Sequence, residues 1–520
     1  MQYQCYSSKE AEVSTAITAV PANPYLDDFL APVSAEVTAT DLPVTGHIPE
    51  FLDGRYLRNG PNPVAEVDPA TYHWFTGDGM VHGVALQNGK AGWYRNRWVR
   101  SAAVRAALGE PATGARNLRA GMQSLGANTN VLAHAGKTLA LVEGGVANYE
   151  LTDELDTVGQ CDFDGTLPGG YAAHPHRDPR TGELHAVSYS FARGGTVQYS
   201  VIDTHGHARR TVDIEVSGSP MMHDFSLTDK YVVIYDLPVT LDPMQLVPAK
   251  VPGWMRLPAQ LVLQSVIGRL RVPGPIAARV NRQERSAYQL PYAWNPRYPA
   301  RIGVMPRDGD RADAKSPVRW FDIEPCYVYH PLNAYSEIRN GSEVLVLDVV
   351  RYQRMFDRDR RGPGGTEPTL DRWTINLATG AVSSERRDDR AQEFPRINET
   401  LLGSRHRFGY TVGIDGGFVD SGRTKMSTSL YKHDYATGSS TAATLDPELL
   451  IGEMSFVPRP AGDSATQAED DGILIGYGYH RGRDEGQLVL LDAQTCESVA
   501  TVHLPQRVPM GFHGNWAPRD

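Results

Sequence analysis

Apolar residues come in short runs along this chain, and the runs have the length of strands. TLALVE (138–143), LHAVSYSF (184–191), YVVIYDL (231–237), EVLVLDVVR (343–351), GILIGYGYH (472–480) and QLVLLDA (487–493) are rich in β-branched and aromatic side chains. They either alternate with polar residues or stay apolar throughout, as half-buried and fully buried strands do. Between the runs the chain is cut by Gly, Pro, Asn and Asp. One turn recurs, as DPRTGE (178–183), NLATGA (376–381) and DYATGS (434–439). Each sets an Asp or Asn ahead of a Gly, which suits a tight hairpin. Strand, turn and strand over most of the chain, with a loose self-similarity, predict an all-β protein, best read as a β-propeller. The repeat is too irregular to count blades, and a large sandwich is the alternative.

One segment has a different period. In residues 251–280, Trp254, Leu257, Leu261, Val262, Val266, Ile267 and Leu270 share one broad helical face, while Arg256, Gln260, Gln264 and Arg269 fall elsewhere. Such a helix either packs on the body of the protein or lies in a bilayer surface with its basic residues at the headgroups. Residues 1–23 are small and polar and read as a loose leader, with neither a basic start nor an apolar stretch of signal-peptide type. No run of about 18 apolar residues occurs, so no transmembrane helix is expected.

Composition narrows the function. Of 520 residues, 41% are hydrophobic and 22% charged, as in ordinary globular proteins. The net charge of -10 argues against a nucleic-acid partner, which needs a basic footprint. The four cysteines, Cys5, Cys161, Cys326 and Cys496, are scattered without a CxxC pair. That spacing offers neither a disulfide framework nor a thiolate zinc site and suits a reducing cytoplasm.

Histidine gives the candidate chemistry. Several of the 16 histidines, such as His205 and His207 in DTHGHARR, sit in polar loop contexts. His174 (YAAHPHRDP), His223 (PMMHDFSLT), His330 (CYVYHPLNAYSE) and His513 (VPMGFHGNW) instead follow small, apolar or aromatic residues and precede turn-like stretches. His176 is the rival of His174. A propeller can bring such distant residues together, because the inner strand of every blade ends at one axis. Four neutral imidazoles would suit a borderline divalent metal such as iron, zinc or copper. The uncompensated double charge calls for carboxylates behind the imidazoles. Glu143 (LALVEGG), Glu393 (QEFPRINET) and Glu453 (IGEMSFVP) stand in apolar or turn contexts and are the candidates.

Ordered motifs then extend over residues 24–518. They include FLDGRYLRNGPNP (51–63), HWFTGDGMVHGV (73–84), ANTNVLAHAGKTLALVEGG (127–145), AHPHRDPRTGE (173–183), MMHDFSLTDKYVVIYDLP (221–238), YHPLNAYSE (329–337), EFPRIN (393–398), GEMSFVPRP (452–460) and GFHGNW (511–516). Through them the chain resembles the carotenoid cleavage oxygenases, a family that also holds retinal-pigment-epithelium isomerases and stilbene-cleaving dioxygenases. Its likeness is greatest to mycobacterial-type bacterial members.

The resemblance implies a single domain, residues 24–520: a seven-bladed β-propeller capped on its iron-bearing face by helical and loop insertions near 100–125 and 240–295. It implies one Fe(II), held by His174, His223, His330 and His513, with His174 preferred over His176. Glu143, Glu393 and Glu453 would orient three imidazoles, and Thr129 would crowd an open iron position with its methyl group. The implied reaction is cleavage of a C=C bond of a carotenoid or apocarotenoid by O₂. The apolar polyene substrate lives in membranes, which favours the surface reading of the 251–280 helix and a cytoplasmic, peripherally membrane-bound protein with no obligate protein partner. Two alternatives remain. A stilbenoid cleaver typically has lysine before the residue matching Glu143, where this chain has Val142. An isomerase or a binding scaffold is the other, and the PDPC-type stretch of animal members is absent.

Overall fold

In a computed structural model, the structure describes residues 23–111, 126–145, 148–167, 170–243, 251–266, 290–307, 318–357, 367–414, 429–461 and 467–519, with 247, 268, 270 and 271. The leader and much of the two expected cap segments lie outside them. The described strands form seven antiparallel sheets of four to six strands, plus one separate two-stranded sheet. These are the seven blades of a β-propeller. The six apolar runs identified in the sequence all became strands, among them Leu184–Ser188, Ser342–Tyr352 and Gly472–His480.

The recurring turns close hairpins. Asn376 Oδ1 accepts the N–H groups of Ala378 and Thr379, and Asp434 Oδ1 accepts that of Ala436. Gly182, Gly380 and Gly438 all have positive φ, between 71° and 79°, so glycine is the residue that completes each turn without strain. Blades then pack face to face through apolar clusters. The largest runs through consecutive blades and includes Tyr199, Ile234, Leu345 and Trp373. Each fully buried side chain of this size contributes about 1.5–3 kcal/mol relative to exposure.

Two joins close the ring. Gly514–Pro518 pairs with Gly54–Pro61, in register Arg58 to Gly514 and Gly54 to Pro518. Val44–Gly46 pairs with Ser498–His503 on the outer edge of the adjoining blade. Strands far apart in sequence therefore complete two blades, and no open seam remains. The first join requires glycine. A Cβ on Gly60 would lie 2.5 Å from Gly511 Cα, and one on Gly511 would collide with the Arg58 guanidinium.

The helical period is realised only in part, as Gly253–Val266. That helix does not pack on the propeller through its apolar face. Trp254 is 79% exposed, Leu257 63% and Leu261 58%. Val266, Ile267, Gln264 and Arg269 lie outside the described side chains. No helix among the described residues is long and apolar enough to cross a membrane.

Candidate metal centre

The inner strand of every blade starts at the same face of the ring, and a residue singled out from sequence stands at or beside each start. Thr129 precedes Asn130–His134. His174 and His223 stand two residues before His176–Arg177 and Phe225–Leu227. His330 lies within Tyr327–Arg339, Glu393 within Gln392–Arg396, Glu453 just before Ser455–Pro458, and His513 next to Gly514–Pro518. Glu143 follows the second strand of its blade, Lys137–Leu141. Three of these positions are irregular. Register shifts flank His330 and follow Glu393, and Glu453 sits where the inner strand is broken between Ile451 and Ser455. Bulges of this kind turn a side chain out of the normal alternation, here towards the axis.

The result is one cluster. Ligating nitrogens of His174, His223, His330 and His513 all lie within 4.8 Å of one another, with ring centroids 4.4–5.1 Å apart. All four histidines are buried. Carboxylates stand behind them. His330 Nδ1 is 2.6 Å from Glu393 Oε2, and His513 Nδ1 is 3.0 Å from Glu453 Oε1. Glu143 Oε2 lies 3.1 Å from His223 Nδ1, off the line of an ideal hydrogen bond. The carboxylates are held in turn: Tyr189 donates to Glu143 and Tyr352 to Glu393. The Arg396 guanidinium spans both oxygens of Glu453 at 3.0 Å each.

His176 is not in the cluster. Its Nε2 lies 2.7 Å from Asp224 Oδ1 and 2.9 Å from the Phe225 carbonyl. The other oxygen of Asp224 is 3.6 Å from His174 Nδ1. Asp224, Arg396, Tyr189 and Tyr352 were not found by sequence reasoning. Asp224 stands beside His223 and Arg396 three residues after Glu393, but only the fold shows what they face. Thr129 is buried at the same place: its carbonyl accepts the His513 N–H at 3.1 Å, and its hydroxyl donates to Asn128 Oδ1.

Charge follows geometry. Burial and three neighbouring imidazoles hold His174 far below the ordinary histidine range. Burial also lowers His513, against the pull of Glu453. At His330 burial acts in the same downward direction, but the Glu393 carboxylate outweighs it and raises the ring. For Glu453, Arg396 and His513 overcome a burial that alone would raise it, and the carboxylate stays well below its usual range.

The donor set fits a cation. With Nδ1–H of His330 and His513 directed at carboxylates, the lone pairs of those rings sit on Nε2. His330 Nε2 lies 3.2 Å from His223 Nε2, and His174 Nε2 is buried with no hydrogen-bond partner. Converging lone pairs without donors repel one another, and a metal ion reconciles them. An aromatic wall adjoins the cluster. Tyr329 stacks edge-on to His223 at 4.9 Å and to Phe75 at 6.4 Å, and Phe75 meets Phe512 at 5.5 Å. Phe394 stacks on His330 at 5.8 Å.

Comparison with known proteins gives a consistent picture. The family model described as "Retinal pigment epithelial membrane protein" matches residues 30–518. The chain is 76% identical over 507 residues to the carotenoid cleavage oxygenase of Mycobacterium tuberculosis, covering 97% of this chain and 100% of that one. A lignostilbene dioxygenase structure from Pseudomonas brassicacearum has a TM-score of 0.76 at 25% identity, covering 96% of this chain and 99% of that chain. Cobalt-substituted Synechocystis apocarotenoid oxygenase has a TM-score of 0.72 at 26% identity, covering 94% and 97%. The family match takes in all seven blades and every residue that faces the cluster, and the chain therefore belongs to the retinal pigment epithelial membrane protein family.

Proposed function

We propose that this chain is a non-haem iron dioxygenase that cleaves a C=C bond of a carotenoid or apocarotenoid with O₂. Each of the two carbons leaves as a carbonyl carrying one oxygen atom. The observation that carries this reading is the cluster of four carboxylate-backed imidazoles, in a chain 76% identical to a carotenoid cleavage oxygenase. His174, His223, His330 and His513 would hold one Fe(II), which would supply the activation of O₂.

The protein's own part is positioning and exclusion. Glu143, Glu393 and Glu453 keep the imidazoles turned inward and offset the charge of the ion. Thr129 has its hydroxyl committed to Asn128, and its methyl group would narrow the open side of a bound iron. Phe75, Tyr329, Phe394 and Phe512 form a wall against which a conjugated chain can lie flat. No general acid or base is required, since no proton need be transferred between the polyene and its carbonyl products.

Val142 favours a polyene over a stilbenoid phenol. It is buried in an apolar cluster with Val81, Val99 and Tyr149 and offers no donor to a phenolate. The apolar face of the 253–266 helix would dock on the membrane that holds the substrate, with Arg256 on the same helix. The test is anaerobic loading with Fe(II), then O₂ and a panel of β-carotene, zeaxanthin, lycopene, apo-8'-carotenal and resveratrol, with products read by mass. Apocarotenals that vanish in His330→Ala are the expected result. Cleavage of resveratrol alone would move the substrate class to stilbenoids, and no product with iron bound would favour an isomerase or scaffold.

A further inference from the structure

Arg396 makes more contacts at the metal centre than an ordinary ion-pair partner does. Its side chain is 14% exposed and that of Glu453 is 3% exposed. Nε and Nη2 reach the two carboxylate oxygens of Glu453 at 3.0 Å each. Nη2 also donates to the carbonyl oxygen of Gly514 at 2.7 Å, and Nη1 reaches Glu399 at 2.5 Å. The Gly514 N–H donates back to Glu453 Oε2 at 2.8 Å. The Arg396–Glu453 pair thus grips the residue after His513 at both its N–H and its C=O, while the same carboxylate takes the Nδ1 of His513.

These contacts join three inner strands. Arg396 belongs to Gln392–Arg396, Glu453 to the break before Ser455–Pro458, and His513 to the start of Gly514–Pro518, which closes the ring. A planar guanidinium can bridge two carboxylate oxygens and a carbonyl together, which a lysine ammonium does not reproduce.

We propose that Arg396 is a positioning residue for the metal: it fixes Glu453, and through Glu453 the rotation and Nδ1–H tautomer of His513, so that closing the ring and completing the metal site are one event. The proposal rests on the four-histidine reading of the site. Arg372 provides a matched comparison. It forms a bidentate pair with Asp348 at 2.8 Å and 2.8 Å, with side chains 13% and 0% exposed, and touches none of the four histidines.

The test is titration of metal-free protein with Co(II), followed by its visible absorption bands, for wild type, Arg396→Gln, Arg396→Lys, Arg372→Gln and His513→Ala. Circular dichroism reports the fold of each. Arg396→Gln is expected to weaken Co(II) binding about 10–100-fold and to shift the bands towards those of His513→Ala. Arg396→Lys should recover part of the affinity, and Arg372→Gln should lower the melting temperature while binding Co(II) as wild type does. Equal Co(II) affinity and band shape in Arg396→Gln and Arg372→Gln would overturn the proposal with the metal site intact. Loss of fold in both Arg396 variants beside a folded Arg372→Gln would also overturn it, leaving a purely structural role. A wild type indistinguishable from His513→Ala would overturn the metal-site reading, and the proposal with it.

Discussion

Two neighbouring histidines in AHPHRDP meet different fates, and their hydrogen-bond partners decide between them. His176 Nε2 is taken up by Asp224 and a backbone carbonyl, whereas His174 Nε2 has no partner. His174→Ala should therefore abolish metal binding, measured as iron per chain after reconstitution. His176→Ala should keep one iron per chain and cost about 1–3 kcal/mol of stability, because it leaves the buried Asp224 short of a partner. The four histidines stood out because each follows small, apolar or aromatic residues, and the stretches after them, read as turn-like, are the inner strands themselves. Glu143, Glu393 and Glu453 stood out by their apolar or turn contexts, and the family resemblance supplied their roles. Arg396 and Asp224 were not, because arginines and aspartates beside strands are common, and what these two face is decided by strands from other blades. Val142 was read from sequence as the absence of a phenol anchor, and in the fold it is buried in an apolar cluster and offers no donor.

At the scale of an element, the helix Gly253–Val266 and the motif around Gly511 show what local pattern can and cannot decide. The 3.6-residue period predicted the helix, but period alone is silent on which way an apolar face looks. Here Trp254, Leu257 and Leu261 face outward. Replacing these three by Asp should abolish co-sedimentation with anionic phospholipid vesicles and leave cleavage of a detergent-solubilised substrate within about twofold of wild type, since these side chains are exposed and none belongs to the histidine cluster. Unchanged vesicle binding would refute membrane docking by this helix. In GFHGNW the glycines serve packing. Gly511→Ala must displace the buried Arg58 guanidinium, and should destabilise the protein by about 2 kcal/mol or more, read as a lower midpoint in urea.

Across the whole molecule, buried histidines outside the cluster set the response to acid. Burial, helped by Arg307, pushes His185 down to about 3, and burial pushes His406 and His433 down to about 4. These rings are neutral when folded and take up a proton near pH 6.5 when unfolded. Between those values the unfolded chain binds more protons, so stability rises with pH across the window and is lost as pH falls from about 6.5 towards 4. The metal-free protein should show a melting temperature that drops steadily from pH 6.5 towards 4, and a level profile across that window would contradict the assignment. Asp178, held at about 2 chiefly by backbone and Arg307 hydrogen bonds that overcome its burial, adds its own loss only below about pH 4. The all-β architecture was legible in the spacing of runs and turns. The number of blades came from the family resemblance and not from counting the repeat, because one blade carries the long excursion between Asp236 and Arg301 and two blades draw strands from distant parts of the chain.

That last arrangement has a kinetic side. Most hairpins in this protein form between residues a short way apart in the chain, whereas Arg58 meets Gly514 across hundreds of intervening residues. Contacts of such long range form late, and a seam made of them is where a ring first comes apart. His513 lies on that seam. Each brief parting of Gly514 from Arg58 would take one ligand from a bound ion while the other blades stayed folded. Escape of the ion into a chelator would then act as a clock for breathing of the ring, ticking long before any blade melts.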